Sequence, residues 1–314
     1  MISYGDVCEA RSRVGSFVRE TPVMRATLHA PYGDVDVVLK LEQVQVSGTF
    51  KARGSFNAVL HLRDEGRLTP SGLVIASGGN AGIAASMAGR AVGAPVTVVV
   101  PEGSPAEKVA RLRHLGADVV QGGPTHHDTF VWAQSFAART GAFQLHAYDQ
   151  PDIVAGAGTL ALESLDQVPG LGSIVVAVGG GGLVGGVATV GTERGFRTVA
   201  VEPTGAPSLH AALAAGEPVD VRIDTIAKDS LGARRVGNLA YQVCAGADVV
   251  SVLVEDLDIV VARELLWTEY RLLVEDSAAA AVAAICTGAY TPAGGELPVV
   301  VLCGANVAHQ WPPD

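Results

Sequence analysis

Residues 173–186 read Ser173-Ile174-Val175-Val176-Ala177-Val178-Gly179-Gly180-Gly181-Gly182-Leu183-Val184-Gly185-Gly186. A continuous run of small and β-branched apolar residues that ends on four glycines is a strand covered on both faces, feeding a tight turn. Such strands belong to parallel sheets flanked by helices. The alternation recurs along the chain. Strand patterns occupy 73–76, 96–100 and 118–120, interleaved with helical patterns over 83–92, 106–115 and 129–139. A second set places strands at 198–202, 248–254 and 298–302, and helices at 159–165, 207–215, 256–269 and 278–285. Residues 35–42 read as a strand, 21–23 as an extended stretch and 6–19 as a surface helix. The expected fold is α/β, with parallel sheets covered on both faces.

Composition excludes several functions. The formal net charge of −10, with no basic cluster interleaved with aromatics, argues against nucleic acid and anionic membranes as partners. Four scattered cysteines without a CxxC argue against a disulfide framework or structural zinc, and for a reducing compartment. The first six residues show no basic start followed by an apolar run, so no signal peptide is expected. The alanine-rich run 277–285 is too short to span a membrane and reads as a packed helix. The tail 310–314 leaves no room for an appended regulatory domain. A soluble, cytoplasmic protein follows.

The glycine run exposes several main-chain N–H groups to one anion, and the helix behind it adds its dipole. Two readings fit this region. Gly180-x-Gly182-x-x-Gly185, with Glu202 ending the next strand, is formally a dinucleotide fingerprint for a nicotinamide oxidoreductase. Four adjacent glycines also suit a loop wrapped around a single phosphate. Ser77-Gly78-Gly79-Asn80-Ala81-Gly82 ends another strand ahead of a helix and offers a second anion site, sized for a carboxylate; an ordinary helix cap would look the same.

In Ser47-Gly48-Thr49-Phe50-Lys51-Ala52-Arg53-Gly54 a lone lysine follows a polar turn and opens a helical pattern. Partial burial and the positive end of the helix dipole both disfavour an ammonium there. A lysine so depressed is a nucleophile suited to a carbonyl, whereas most lysines are simply solvated.

This motif resembles the lysine motif of the fold-type II pyridoxal-phosphate enzymes, the serine/threonine dehydratase and tryptophan-synthase-β group. Several later stretches resemble the L-serine dehydratases most, and the likeness runs from Thr21 to Asn306. It implies two open, mostly parallel twisted sheets with helices on both faces. It also implies a large cofactor-binding domain, 1–55 with 142–314, and a small inserted one, 56–141. Lys51 would hold pyridoxal 5'-phosphate as an imine, with Phe50 packed nearby. Asn80 would meet the cofactor's ring oxygen, and Ser77, Gly78, Asn80 and Ala81 would bind the substrate carboxylate. Gly179, Gly180, Gly181, Gly182 and Leu183 would hold the cofactor phosphate, and Cys303 would face the pyridine nitrogen. Glu202, the Ala206 carbonyl and Ser208 would bind a cation, joined by carbonyls of Leu231 and Ala233; serine in place of a second acid suits a monovalent ion such as potassium. The reaction implied is β-elimination from L-serine or L-threonine, in a homodimer. Gly78 stands where the family's serine racemases carry a serine, which disfavours racemisation. Ala81 replaces the histidine of many threonine dehydratases. Elimination or replacement on a specialised β-substituted amino acid therefore stays open, as does a silent ligand-binding protein.

Overall fold

The computed structural model describes residues 2–307. Met1 and the Gln310–Asp314 tail discussed above lie outside the described residues. The chain runs α1 (Tyr4–Val14), β1 (Val23–Ala30), β2 (Gly33–Lys40), α2 (Lys51–Asp64), β3 (Leu73–Ile75), α3 (Asn80–Ala91), β4 (Val96–Val100), α4 (Ala106–His114), β5 (Asp118–Gln121), α5 (His126–Thr140) and β6 (Phe143–Leu145). It continues α6 (Pro151–Gln167), β7 (Leu171–Ala177), α7 (Gly182–Arg194), β8 (Arg197–Pro203), α8 (Ser208–Ala215), α9 (Lys228–Leu231), α10 (Asn238–Cys244), β9 (Val249–Val254), α11 (Asp256–Tyr270), α12 (Asp276–Cys286) and β10 (Leu297–Val301).

The strands form two sheets, in the orders β1-β2-β10-β7-β8-β9 and β5-β4-β3-β6. Every pairing is parallel except β1 with β2. Two mostly parallel sheets flanked by helices are the expected architecture. Val23–Ala30, expected only to begin as an extended stretch, continues as a full strand paired with β2 across a turn at Pro31 and Tyr32. Helix α1 stops at Val14, because Gly15 takes a positive φ of 32°.

One expected domain boundary cuts a helix, and the other parts a strand from its sheet. The 55/56 boundary falls inside α2. The 141/142 boundary separates β6 from β3, its hydrogen-bonded neighbour in the small sheet. Phe143–Leu145 is a three-residue strand with Gln144 at its centre, so it lacks the continuous apolar run that marks the equally short β3.

Small residues place the helices around the site. A Cβ on Gly54 would lie 2.6 Å from the Ile153 carbonyl oxygen, and one on Gly156 2.5 Å from the Arg53 carbonyl oxygen. Helices α2 and α6 therefore cross with their backbones nearly touching. Residues 277–285 of α12 are all buried, the packed alanine-rich helix that the sequence suggests. His126 and His127 are exposed in the first turn of α5 behind the Thr125 cap.

Candidate active site

The lysine loop is stitched to the segment that follows β10. Phe50 N–H donates to the Cys303 carbonyl at 3.0 Å, Ala305 N–H donates to the Gly48 carbonyl at 3.0 Å, and Thr49 bridges Gly304. Helix α2 begins at Lys51, as the pattern predicts. The Lys51 amine donates to the Ala147 carbonyl at 2.8 Å and sits 5.0 Å from the centre of the Phe50 ring. Burial brings its pKa down to about 8, against the opposing pull of Cys303 and Glu275. A usable fraction of the amine is therefore neutral and nucleophilic near neutral pH.

Asn80 opens α3. Its Nδ2 lies 3.0 Å from each oxygen of Glu275, and its Oδ1 accepts from Asn306 Nδ2 at 2.8 Å. Cys303 is buried, 3.4 Å from Ser277 Oγ, and burial pushes its thiol up to about 12. The structure thus brings Lys51, Phe50, Asn80 and Cys303 into one polar cluster.

Two helix starts supply main-chain donors. The first backward bond of α3 runs from Ile83 N–H to the Gly79 carbonyl, leaving the N–H groups of Asn80, Ala81 and Gly82 outside the helical ladder. Ser77, Gly78 and Asn80 are half-buried beside them. Ala81 is different: it is buried in the core under the small sheet, so only its main chain can serve a ligand.

In α7 the first backward bond runs from Gly185 N–H to the Gly181 carbonyl, which frees the N–H groups of Gly182, Leu183 and Val184. The glycines here are required. A Cβ on Gly180 would lie 2.3 Å from the Tyr148 ring, and Gly181 has a φ of 92°. A Cβ on Gly179 would sit 3.0 Å from Leu231 Cα. A side-chain-free turn with free donors at a helix start fits a phosphate group.

The expected cation residues also lie together. Ser208 Oγ lies 3.1 Å from Glu202 Oε1 and donates to the Gly179 carbonyl at 2.9 Å. Leu209 and His210 N–H donate to the two Glu202 oxygens at 2.8 Å each. The Ala206 carbonyl accepts from Ser208 N–H at 3.0 Å. Leu231 borders Gly179, and Ala233 follows α9. Glu202 therefore caps α8, and burial pushes its carboxyl up to about 7. That role leaves no ribose-binding acid for the dinucleotide reading. Among the described residues no group of three or more His, Cys, Asp or Glu is arranged to hold a metal.

Sequence reasoning missed Ala147, Tyr148, Glu275, Ser277 and Asn306 as parts of the site. Ala147 acts through its carbonyl, which has no side-chain signature. Asn306 is three residues past Cys303, and Glu275 is the N-cap residue of α12; both positions were visible, but their partners were not.

Comparison with known proteins points to one family. The family profile described as pyridoxal-phosphate dependent enzyme matches residues 14–304. A serine dehydratase-like protein of Mus musculus is 38% identical, covering 94% of this chain and 93% of its own. The L-threonine ammonia-lyase of Geobacter sulfurreducens is 31% identical, covering 98% of this chain and 76% of its own. The structure of maize serine racemase superposes with a TM-score of 0.90 at 28% identity, covering 98% of this chain and 94% of that one.

Proposed function

The chain belongs to the pyridoxal-phosphate dependent enzyme family, and on that footing we propose that it eliminates the β-hydroxyl of L-serine or L-threonine. The Cα–H and Cβ–O bonds break and water leaves. The enamine released takes up water, giving a 2-oxo acid and ammonia. The observation that carries this reading is the Lys51 amine, depressed to about 8 and clustered with Phe50, Asn80 and Cys303.

Lys51 would hold the cofactor's aldehyde carbon. The free N–H groups at the start of α7, with Gly179, Gly180 and Gly181, would hold its phosphate. Asn80 and Cys303 would meet its ring. When bound, the cofactor supplies the sink for electrons left on Cα. Ser77 and the N–H groups of Asn80, Ala81 and Gly82 bind the substrate carboxylate beside Gly78. The Lys51 amine, neutral once free, takes the Cα proton. Gly78 has no side chain to return a proton on the other face, so racemisation is not part of the proposal. A buried neutral thiol at Cys303 holds a ring proton less firmly than a carboxylate, which suits elimination over a long-lived carbanion.

The same reading makes the sheets two domains with the cofactor between them, in a cytoplasmic homodimer. It also assigns a monovalent ion to Glu202, Ala206 and Ser208, with carbonyls of Leu231 and Ala233. No helix among the described residues is long and apolar enough to cross a membrane.

The test is 2-oxo acid release from a panel of β-substituted amino acids, with and without potassium, by wild type and Lys51→Ala. Release from serine or threonine that vanishes in the variant supports the proposal. A variant as active as wild type overturns it, and turnover confined to other β-substituents moves the substrate class.

A further inference from the structure

Glu275 is a buried carboxylate to which the reaction above gives no role. It is 8% exposed, and its oxygens are met by donors from three segments: Ser277, Asn80 and the Asn306 main chain. Ser277 Oγ donates to Oε1 at 2.6 Å, and Asn80 Nδ2 lies 3.0 Å from both oxygens. The main chain is fixed as well: Glu275 N–H donates to the Gly304 carbonyl at 3.0 Å, and a Cβ on Gly304 would lie 2.6 Å from Glu275 Oε1.

Burial pushes the Glu275 carboxyl up, while the bonds from Ser277 and Asn80 and the Lys51 charge pull it down; in its ionised form it accepts only, which gives the chain of bonds a direction. The Ser277 hydroxyl has one hydrogen, and it points to Glu275. Its oxygen must then accept from Cys303, 3.4 Å away, so the thiol hydrogen is committed to Ser277. On the other side Asn80 presents its NH2 to Glu275 and its carbonyl oxygen to Asn306 Nδ2 at 2.8 Å, so the amide cannot turn over. One carboxylate thus sets the orientation of both Cys303 and Asn80.

We propose that Glu275 is the positioning residue that couples the two ring contacts of the cofactor, fixing Asn80 as a one-way amide and Cys303 as a sulfur whose hydrogen points away to Ser277. The inference rests on the proposed cofactor site, in which those two residues meet the ring. Glu275→Gln keeps the shape but lets the group at 275 donate, so neither orientation is enforced. The titratable neighbours facing Glu275 are Lys51, from the start of α2, and Cys303; His146 in turn senses the Lys51 charge. Loss of the negative charge at 275 removes an influence that raises the Lys51 pKa, so the amine titrates at lower pH.

The experiment titrates protein stripped of cofactor with pyridoxal phosphate, following absorbance between pH 6 and 10. Wild type, Glu275→Gln, Glu275→Asp and Ser277→Ala are compared, with thermal unfolding as a control for folding. Borohydride trapping at Lys51 in wild type tests the underlying site by itself; without an adduct that reading fails, whatever the variants do. Given an adduct, Glu275→Gln is expected to bind about tenfold more weakly, which corresponds to about 1.4 kcal/mol, and to shift the pH midpoint downward. Glu275→Asp should restore the midpoint but not the affinity, since its charge remains and its reach is shorter. Ser277→Ala, which keeps the Asn80 bonds but removes the Ser277 bond that pulls the Glu275 carboxyl down, should alter the absorption band. If Glu275→Gln is folded and matches wild type in affinity and midpoint, the coupling role is wrong. If it does not fold, an unchanged band in Ser277→Ala is equally fatal.

Discussion

Replacing Arg53 by Met tests how the lysine helix is anchored. Arg53 is 1% exposed, two residues beyond Lys51 in α2. Its Nε and Nη2 donate to the two oxygens of Glu42 at 2.8 and 2.7 Å, and Nη2 lies 2.9 Å from Glu163. Lys40, also buried, pairs with Glu163 and donates to the Thr21 carbonyl at 2.7 Å. Two cations thus balance two carboxylates behind the site. Methionine fills most of the guanidinium's volume but leaves Glu42, at 0% exposure, with a hydrogen bond from the Thr21 hydroxyl. Breaking a buried pair by removing one partner costs about 3–5 kcal/mol, a large part of a typical stability of about 5–15 kcal/mol. Urea unfolding at pH 7 should show that loss as a lower midpoint at unchanged slope. The pH dependence has a definite sign. In the wild type, burial pushes the Glu42 carboxyl up, but Arg53 outweighs it and the net direction is down. Its contribution is present above the unfolded carboxyl pKa and fades as pH falls through the folded value. Without Arg53, burial raises the folded value above the unfolded one, so the deficit is greatest at neutral pH and shrinks on acidification. A loss under about 1 kcal/mol at pH 7, against the 3–5 expected, refutes the reasoning. So does a deficit that stays constant between pH 7 and 5. Glu42→Gln in the Arg53→Met background should recover part of the loss, measurable as a coupling energy.

Two further outcomes follow from the site. Uptake of pyridoxal phosphate by the stripped protein should accelerate as pH rises through about 8, where Lys51 loses its proton, and then level off; stopped-flow absorbance checks this, and a flat profile between pH 6.5 and 9 would exclude Lys51 as the attacking amine. Gly180→Ala puts a methyl group 2.3 Å from the Tyr148 ring, so cofactor affinity should fall by about tenfold, or about 1.4 kcal/mol, and recover when Tyr148→Ala is added. An affinity equal to wild type in the single variant would show that this loop is not the phosphate cradle.

Much of this was legible from local sequence, because local chemistry determined it. The strand ending on Gly179, the helix opening at Lys51 and the buried alanine helix each follow from a few adjacent residues and their period. Residues 198–202 and 207–215 read as a strand and a helix, and Glu202, near the end of β8, caps α8. What stayed hidden depended on distant partners or on main-chain atoms. The Ala147 carbonyl that holds Lys51 carries no residue signature. Tyr148 matters because of its contact with Gly180, which no spacing encodes. Arg53 was plain within the lysine motif, but its partner Glu163 lies on α6, and only the crossing of α2 over Gly156 brings them together. Strand β6 failed for a different reason: Gln144 interrupts it, whereas the equally short β3 is a continuous apolar Leu73-Val74-Ile75 run.

Both predicted anion sites lie beyond the C-terminal ends of parallel strands, β7 in one sheet and β3 in the other, each opening into a helix. Both present main-chain N–H groups outside the helical ladder, so what they offer a ligand depends on where the sheets stand. The apolar cores beneath the sheets are separate clusters. Polar bonds join the two sides near the site: Asn80 to Glu275, Arg111 to Asn306 at 2.6 Å, and Lys108 to Asp229 at 2.9 Å. The last two are exposed and contribute little net stability, since water replaces them readily. Helix α2 packs within the small-sheet core yet is locked to α6 through Gly54 and Gly156, so Lys51 stays with the large sheet while the α3 start belongs to the small one. A ligand held at both the α3 start and Lys51 would therefore bridge the two sheets.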